Sequence, residues 1–425
     1  MSSTVQMGEN QLKPDVAIYA DDSERKDEKR TDFSAIEICI ELKRSALHDP
    51  FDDADGAPFE KNTELGMSMR GQITSYATAH LGKQFRLFTF SVIIIGDMAR
   101  IMRWERAGST VTNAFNYKQN PEFLINFFRR FASLSRKDRG WDTSVIPIDE
   151  AQPPSDIHSD TVVAARAALN LLPQCSLFCI QVRATDGPST GESLEFRYYI
   201  GGRPPCPYSL IGRSTRGWPV FCVATQQVVF LKDTWRIDSD DIEPEGVTYR
   251  KLHEKNVHNI ATVEASGDVG YSTVTQSLTN EPWSKVKEKI TGHVHYRLVL
   301  KEVGHRLTDF ICTRDLVNAV RDAIIGTSVL VVWRFRLTMP VALWEAFELA
   351  KILHRDISVG NIVIILNGNG KFMKALLIDW DLCKDITKLG ARRRDRTVSN
   401  SVMCQEVKCS DIWTGNVAIY VCSPA

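Results

Sequence analysis

Apolar positions recur with two different periods along this chain, and the change of period divides it into elements. Val16–Tyr19, entered through Pro14-Asp15, reads as a short strand. Ile36-Glu37-Ile38-Cys39-Ile40-Glu41-Leu42-Lys43 alternates apolar and polar side chains, as a half-buried strand does, so Glu41 and Lys43 share one face. Gln72 and Tyr76 stand one turn apart on a helical stretch. Leu87–Ile95 and Arg100–Trp104 follow as strands, and Pro121–Leu134 is amphipathic, with Phe123, Phe127, Phe128 and Phe131 toward a core.

The pattern then breaks. Asp142–Ser159 sets Pro147, Pro153 and Pro154 among acidic residues and reads as a linker. The division this suggests is an N-terminal α/β module over residues 12–145, a linker over 146–160 and a second domain over 161–425. There, Asp160–Leu172 reads as a helix capped by Ser159, followed by strands at Ser176–Arg183 and Leu194–Ile200. Tyr208–Gly212 reads as a strand entering a glycine loop that runs to Gly217, with the next strand over Pro219–Ala224. Val228–Trp235 is an apolar strand closed by a lone Lys232. Glu245 begins a helical stretch with Tyr249 and Leu252 on one face. Arg297–Leu300 is a buried strand running into a short connection at Gly304, and Asp315–Ile325 a helix with Leu316, Ala319, Val320 and Ala323 on its apolar side. Ile362–Leu366 and Ala375–Ile378 flank Asn367-Gly368-Asn369-Gly370, which is the turn chemistry of a hairpin.

Composition narrows the classes. A chain of 425 residues has room for two or three domains. Lys+Arg and Asp+Glu balance at 52 each, which argues against a general binder of nucleic acid or of membrane surfaces. The 10 cysteines are scattered without a Cys-x-x-Cys pair, which fits a reducing compartment rather than a zinc site. The N-terminus has no apolar signal core, Leu87–Ile95 is too short to span a bilayer, and Ser328–Trp344 carries Arg334, Arg336 and Pro340. The expectation is an intracellular protein, cytoplasmic or nuclear, with no membrane partner.

The chemistry concentrates in Leu353-His354-Arg355-Asp356-Ile357-Ser358-Val359-Gly360-Asn361. Phosphoryl transfer needs a carboxylate, here Asp356, to accept the proton of the attacking hydroxyl, and a nearby amide oxygen, here Asn361, to hold Mg²⁺. The hairpin should return Asp379 beside Asn361, and two oxygen ligands with open positions suit that ion. Upstream, Gly212 and Gly217 lack a Cβ, so backbone N–H groups between them can approach phosphates. Lys232 suits the lysine of the α/β-phosphates, with Glu245 as its partner. Plainer alternatives stand beside each: an Asp-rich loop flanking an ordinary hairpin, a turn between two glycines, a solvent-facing lysine.

Together these phrases resemble the fungal-type protein kinases expanded in mushroom-forming fungi. They are Leu231-Lys232-Asp233-Thr234-Trp235, Tyr296 through Gly304, Asp322-Ala323-Ile324, Ile352 through Ser358 with Gly360-Asn361, and Ile378-Asp379-Trp380-Asp381-Leu382. The resemblance covers most of residues 12 to about 397. It implies an α+β chain, with a bilobal protein-kinase-like fold preceded by the α/β module. It also implies ATP, Mg²⁺ and transfer of the γ-phosphate to Ser/Thr hydroxyls of a protein substrate. By that resemblance Asp356 is the catalytic base, Asn361 and Asp379 hold Mg²⁺, Lys232 contacts phosphate and Glu245 orients it. Arg355 would pair with a phosphate on the activation segment, with Thr397, Ser399 and Ser401 as acceptors.

Four departures qualify this. Ser358 stands where many such kinases carry a lysine for the γ-phosphate, and Lys384 is a candidate replacement. Asp381 replaces the glycine of the usual Asp-Phe-Gly. Residues 325–344 read as an insertion that interrupts a supporting helix at Pro340. Beyond Arg396-Thr397 the pattern dissolves, so a truncated C-lobe and an unstable or inactive chain are the expectation. That favours a second reading, a non-enzymatic pseudokinase or binding module. A third is a small-molecule phosphotransferase of the aminoglycoside or choline type, suggested by Ser358 and Ile378-Asp379-Trp380-Asp381 and opposed by Arg355.

In the first module, Asp15, Glu41, Lys43, Gln72 and Tyr76 resemble the PD-(D/E)xK nuclease core. There Asp15 and Glu41 would hold Mg²⁺ and Lys43 would orient water. The alternative is a charged strand edge beside a polar helix face, and nucleic acid is not otherwise an expected partner.

Overall fold

The computed structural model describes residues 12–20, 31–54, 56–150, 152–154, 157–184, 195–207, 209–239, 242–278, 290–324, 341–387 and 406–407. The N-terminal module is a mixed sheet with a helix on each face. β1 (Val16–Tyr19) runs antiparallel to β2 (Ile36–Lys43), and α1 (Glu64–Lys83) crosses over to β3 (Phe88–Ile95), parallel to β2. β4 (Met98–Glu105) and β5 (Gly108–Thr112) continue antiparallel, β6 (Phe115–Asn116) pairs with the start of β4, and Glu406–Val407 lies parallel beside β5. Ile38, Ile40, Val92 and Ile101 pack under Phe127 and Phe131 of α2 (Glu122–Ser133). Met69, Ile73, Ala77 and Leu81 of α1 cover Ile93, Ile95, Met102 and Trp104 on the other face. This explains why β2 is more than half-buried: from Ile36 to Glu41 every residue is buried, because both faces are covered. Its acidic positions are therefore paired, Glu37 with Arg86 at 2.7 Å and Glu41 with Gln72 at 2.7 Å.

The second sheet is antiparallel throughout, in the order β12-β13-β11-β10-β9-β8-β7. Its strands are β7 (Val145–Ile148), β8 (Leu177–Arg183), β9 (Phe196–Gly201), β10 (Arg216–Cys222), β11 (Val228–Ile237), β12 (Val263–Ser272) and β13 (His293–Leu300). The stretch 146–160 thus differs from a bare linker: its start is the edge strand of this sheet. Pro147 is tolerated there because an edge strand has one side free of ladder hydrogen bonds. α3 (Ser159–Ala168) begins one residue earlier than the sequence suggests, so Ser159 lies inside it and His158 takes the N-cap position without a side-chain bond.

α4 (Glu245–Glu254) packs against this sheet, with a single-turn helix α5 (Thr275–Leu278) after β12. A smaller set of elements follows: β14 (His305–Arg306), α6 (Thr313–Ile324), α7 (Val341–Glu348), β15 (Ile352–Leu353), β16 (Ile362–Leu366), β17 (Phe372–Leu377) and β18 (Lys384–Asp385). The segment read as an insertion is in part the first turn of α7, and residues 325–340 lie outside the described residues. One continuous core joins Tyr249 and Leu252 of α4, Tyr296 and Leu298 of β13, Ala319 and Ala323 of α6, and Ile362, Ile364, Leu376 and Leu377 of the hairpin. That shared core fixes the sheet against the hairpin. Among the described residues no helix is long and apolar enough to cross a membrane.

Candidate active site

The hairpin folds as its turn chemistry demands. Ile362 pairs with Leu377 and Val363 with Leu376, so Asn361 and Ile378 meet at the open end, where the Ile378 N–H donates to the Asn361 carbonyl at 2.9 Å. Asp379 is the next residue and stands at φ 68°, ψ 59°, a left-handed conformation uncommon outside glycine though less so for Asp, and here restrained by its surroundings. The restraint is visible: the Trp380 N–H donates to Glu245 Oε1 at 3.0 Å, and the Trp380 ring is fully buried beneath the hairpin. Arg355 is also left-handed, at φ 70°.

His354 closes the opposite side. It is fully buried, with Nε2 within 2.9 Å of the Ile378 carbonyl and its ring 4.5 Å from that of Trp380. Burial lowers its pKa, against the opposing effect of the Ile378 carbonyl and the nearby aspartates, so the ring is neutral at physiological pH. The Asn361 amide nitrogen donates to the Asp356 carbonyl at 2.8 Å, which closes the loop between them. With the nitrogen so used, the amide oxygen is the atom Asn361 can offer a cation.

Lys232 sits in the middle of β11 rather than closing it, because the strand continues through Trp235 to Ile237. Its ammonium is buried, 2.6 Å from Glu245 Oε2, 2.5 Å from Asp379 Oδ1 and 3.9 Å from Asp381 Oδ2. Burial opposes the charge, but Glu245, Asp379 and Asp381 outweigh it and hold the ammonium well above the ordinary lysine range. Burial likewise works against Asp379, yet Lys232, then Arg213 and His354, keep it below the usual carboxylate range. Glu245 is the exception. Burial, with the charges of Asp379 and Asp381, pushes it up to about 7 despite Lys232. It begins α4, and its two oxygens bridge Lys232 and the Trp380 backbone.

The two glycines stand differently from the sequence expectation. Residues 209–215 form a loop rather than the end of a strand, and the strand before it is β9. Gly212 turns that loop at φ +84°. Gly217 lies inside β10 opposite Lys232, where a Cβ would come within 2.6 Å of the Phe230 ring. A Cβ at that position would crowd the Phe230 ring, which is one reason for a glycine there.

Sequence reasoning missed Arg213. Its guanidinium is ion-paired with Asp381, and the Arg213 carbonyl accepts the Trp235 N–H at 2.8 Å. A basic residue directly after the loop glycine was the available signal. Lys384 pairs with Leu353 in the β15–β18 ribbon, and Ser358 precedes the 3-10 turn that ends at Asn361. Thr397, Ser399 and Ser401 lie outside the described residues. Among the described residues no cluster of three or more His, Cys, Asp or Glu side chains forms a metal centre. One carboxylate and one amide oxygen suit Mg²⁺, which keeps waters and phosphate oxygens as its other ligands.

In the N-terminal module the five singled-out residues do assemble. Val16 pairs with Ile40, so Asp15 follows opposite Glu41, and Asp15 Oδ2 accepts the Leu42 N–H at 2.8 Å. Glu41 Oε1 accepts from Gln72 and from Lys43, and Gln72 also donates to the Tyr76 hydroxyl at 2.7 Å. Glu41 Oε2 is buried with no hydrogen-bond partner among the described residues.

No curated protein matches the chain. Among solved structures it is similar to the ROP18 kinase domain in complex with AMP-PNP and sucrose. Identity is 14%, with a TM-score of 0.24 and coverage of 48% of this chain and 55% of that one, so the match spans about half of either. The profile described as fungal protein kinase matches residues 13–408, nearly the whole chain, and the chain therefore belongs to the fungal protein kinase family.

Proposed function

We propose that the chain transfers the γ-phosphate of ATP to Ser or Thr hydroxyls of proteins. The observation that carries this is the convergence of Lys232, Glu245 and Asp379, drawn from β11, α4 and the hairpin end. Lys232 would bind the α/β-phosphates, and Glu245 would hold it in place. Asp356 would accept the proton of the attacking hydroxyl as its oxygen bonds to the γ-phosphorus and the bond to the β-phosphate oxygen breaks. Asn361 and Asp379 would hold Mg²⁺, which when bound neutralises phosphate charge. Neutral His354 fixes the carbonyl of Ile378 and so the approach of Asp379.

The test is phosphate transfer from labelled ATP with Mg²⁺ to a general protein substrate. Asp356→Asn should lower the rate by about 10²–10⁴-fold, the range for a general base. Transfer to aminoglycosides or choline but not to protein would replace this reading with the small-molecule one. Transfer to neither would leave a nucleotide-site protein without the reaction.

A further inference from the structure

We propose that Arg213 contacts the terminal phosphate of the bound nucleotide, supplying the charge that Ser358 cannot. This rests on the ATP reading above and assigns a side chain within that same site. Transfer of a γ-phosphate needs a cation near the leaving and transferring oxygens. Lys232, held by Glu245 and Asp379, is assigned to the α/β-phosphates, and position 358 carries a hydroxyl.

Arg213 is held where that charge is needed. Its loop is anchored on both sides by the N-terminal module rather than left to swing. Leu210 is buried in the core of that module with Phe51, Met69, Leu81 and Trp104, and Ile211 packs beside it. The Gly212 N–H donates to the Arg106 carbonyl at 2.9 Å, and the buried Arg106 guanidinium donates to Leu210 O at 3.0 Å and Ser214 Oγ at 3.1 Å. The bond from Trp235 fixes the Arg213 carbonyl. The main chain is thus fixed while the side chain remains 37% exposed and reaches Asp381, two residues past Asp379. The charges of Asp381, Asp379 and Asp356 all bear on it, so it lies among the acidic groups that would surround a transferring phosphate. A guanidinium that pairs with a carboxylate can pair with phosphate by the same fork. Asp381, an acid where a glycine is usual, would then be the parking partner of Arg213.

Affinities for ATP and ADP, each with Mg²⁺, test this on the full chain carrying Arg213→Ala. ATP binding should weaken about tenfold, the loss expected for one charge-assisted contact, while ADP binding changes less than about twofold. Arg213→Lys, which keeps the charge but not the fork, should fall between. Equal loss for both nucleotides, or no loss for either, overturns the assignment and leaves the ATP reading standing. A wild-type chain that binds neither nucleotide overturns both. An unchanged melting temperature without nucleotide separates a lost contact from a lost fold.

Discussion

Glu245 is held toward its neutral form, opposite to Asp379, its neighbour in the site. It is buried beside Lys232 but also beside Asp379 and Asp381, and its pKa rises to about 7 from an ordinary 4.5. The folded chain therefore keeps a proton on Glu245 to higher pH than the unfolded chain. By linkage, the stability this contributes is present in full below about 4.5 and is lost as pH rises through about 7. Melting temperatures of the nucleotide-free protein and of Glu245→Gln, followed from pH 5.5 to 8, should show the wild type losing stability relative to the variant. Buried histidines such as His293, lowered to about 4 by burial, act in the opposite sense but are common to both chains. A wild-type-minus-variant difference that stays flat with pH would refute the shift. At this scale the pairing of Lys232 with Glu245 and the return of the hairpin to Asn361 were legible, because strand, helix and turn patterns set them locally. Arg213 was not: its contact with Asp381 spans 168 positions and depends on a loop that another module anchors.

At the scale of elements, local period and turn chemistry sufficed where a segment's environment is set by its own sequence. The hairpin of β16 and β17 and the aromatic stripe of α2 are of that kind. Where tertiary contacts decide, local pattern alone does not suffice. The prolines near β7 suggest a linker, yet an edge strand accepts Pro147. Gly217 suggests a loop, yet it is a strand position where a Cβ would press on the Phe230 ring. Gly217→Ala should therefore lower stability by about 1–3 kcal/mol, the usual penalty for forcing an atom into a packed site. Urea unfolding measures it. Unchanged stability with weakened nucleotide binding would instead return Gly217 to the phosphate loop.

Across the whole molecule, the N-terminal module and the second sheet are joined by buried polar contacts as well as by packing. Arg297 of β13 is ion-paired with Asp142, just before β7. Glu105 of β4 accepts from the Val274 N–H at 2.9 Å and from the Tyr271 hydroxyl at 3.2 Å. Burial opposes the charge of Asp142, but Arg297 and His295 hold its pKa down, so the pair stays ionised. Groups paired in this way are costly to separate, because removing one partner leaves the other charged and buried. Such contacts join positions more than 150 apart, and no local pattern announces them.

The end of one hairpin, one strand lysine and one helix glutamate would together form a nucleotide site requiring a divalent ion. Its most direct test is the melting temperature of the purified chain with ATP, with and without Mg²⁺, beside Asp379→Asn. A ligand that binds only the folded state adds about 2.7 kcal/mol at a hundredfold excess over its Kd. The account predicts an upward shift that needs Mg²⁺ and disappears in Asp379→Asn. A shift of equal size in that variant, or none in the wild type, would contradict it.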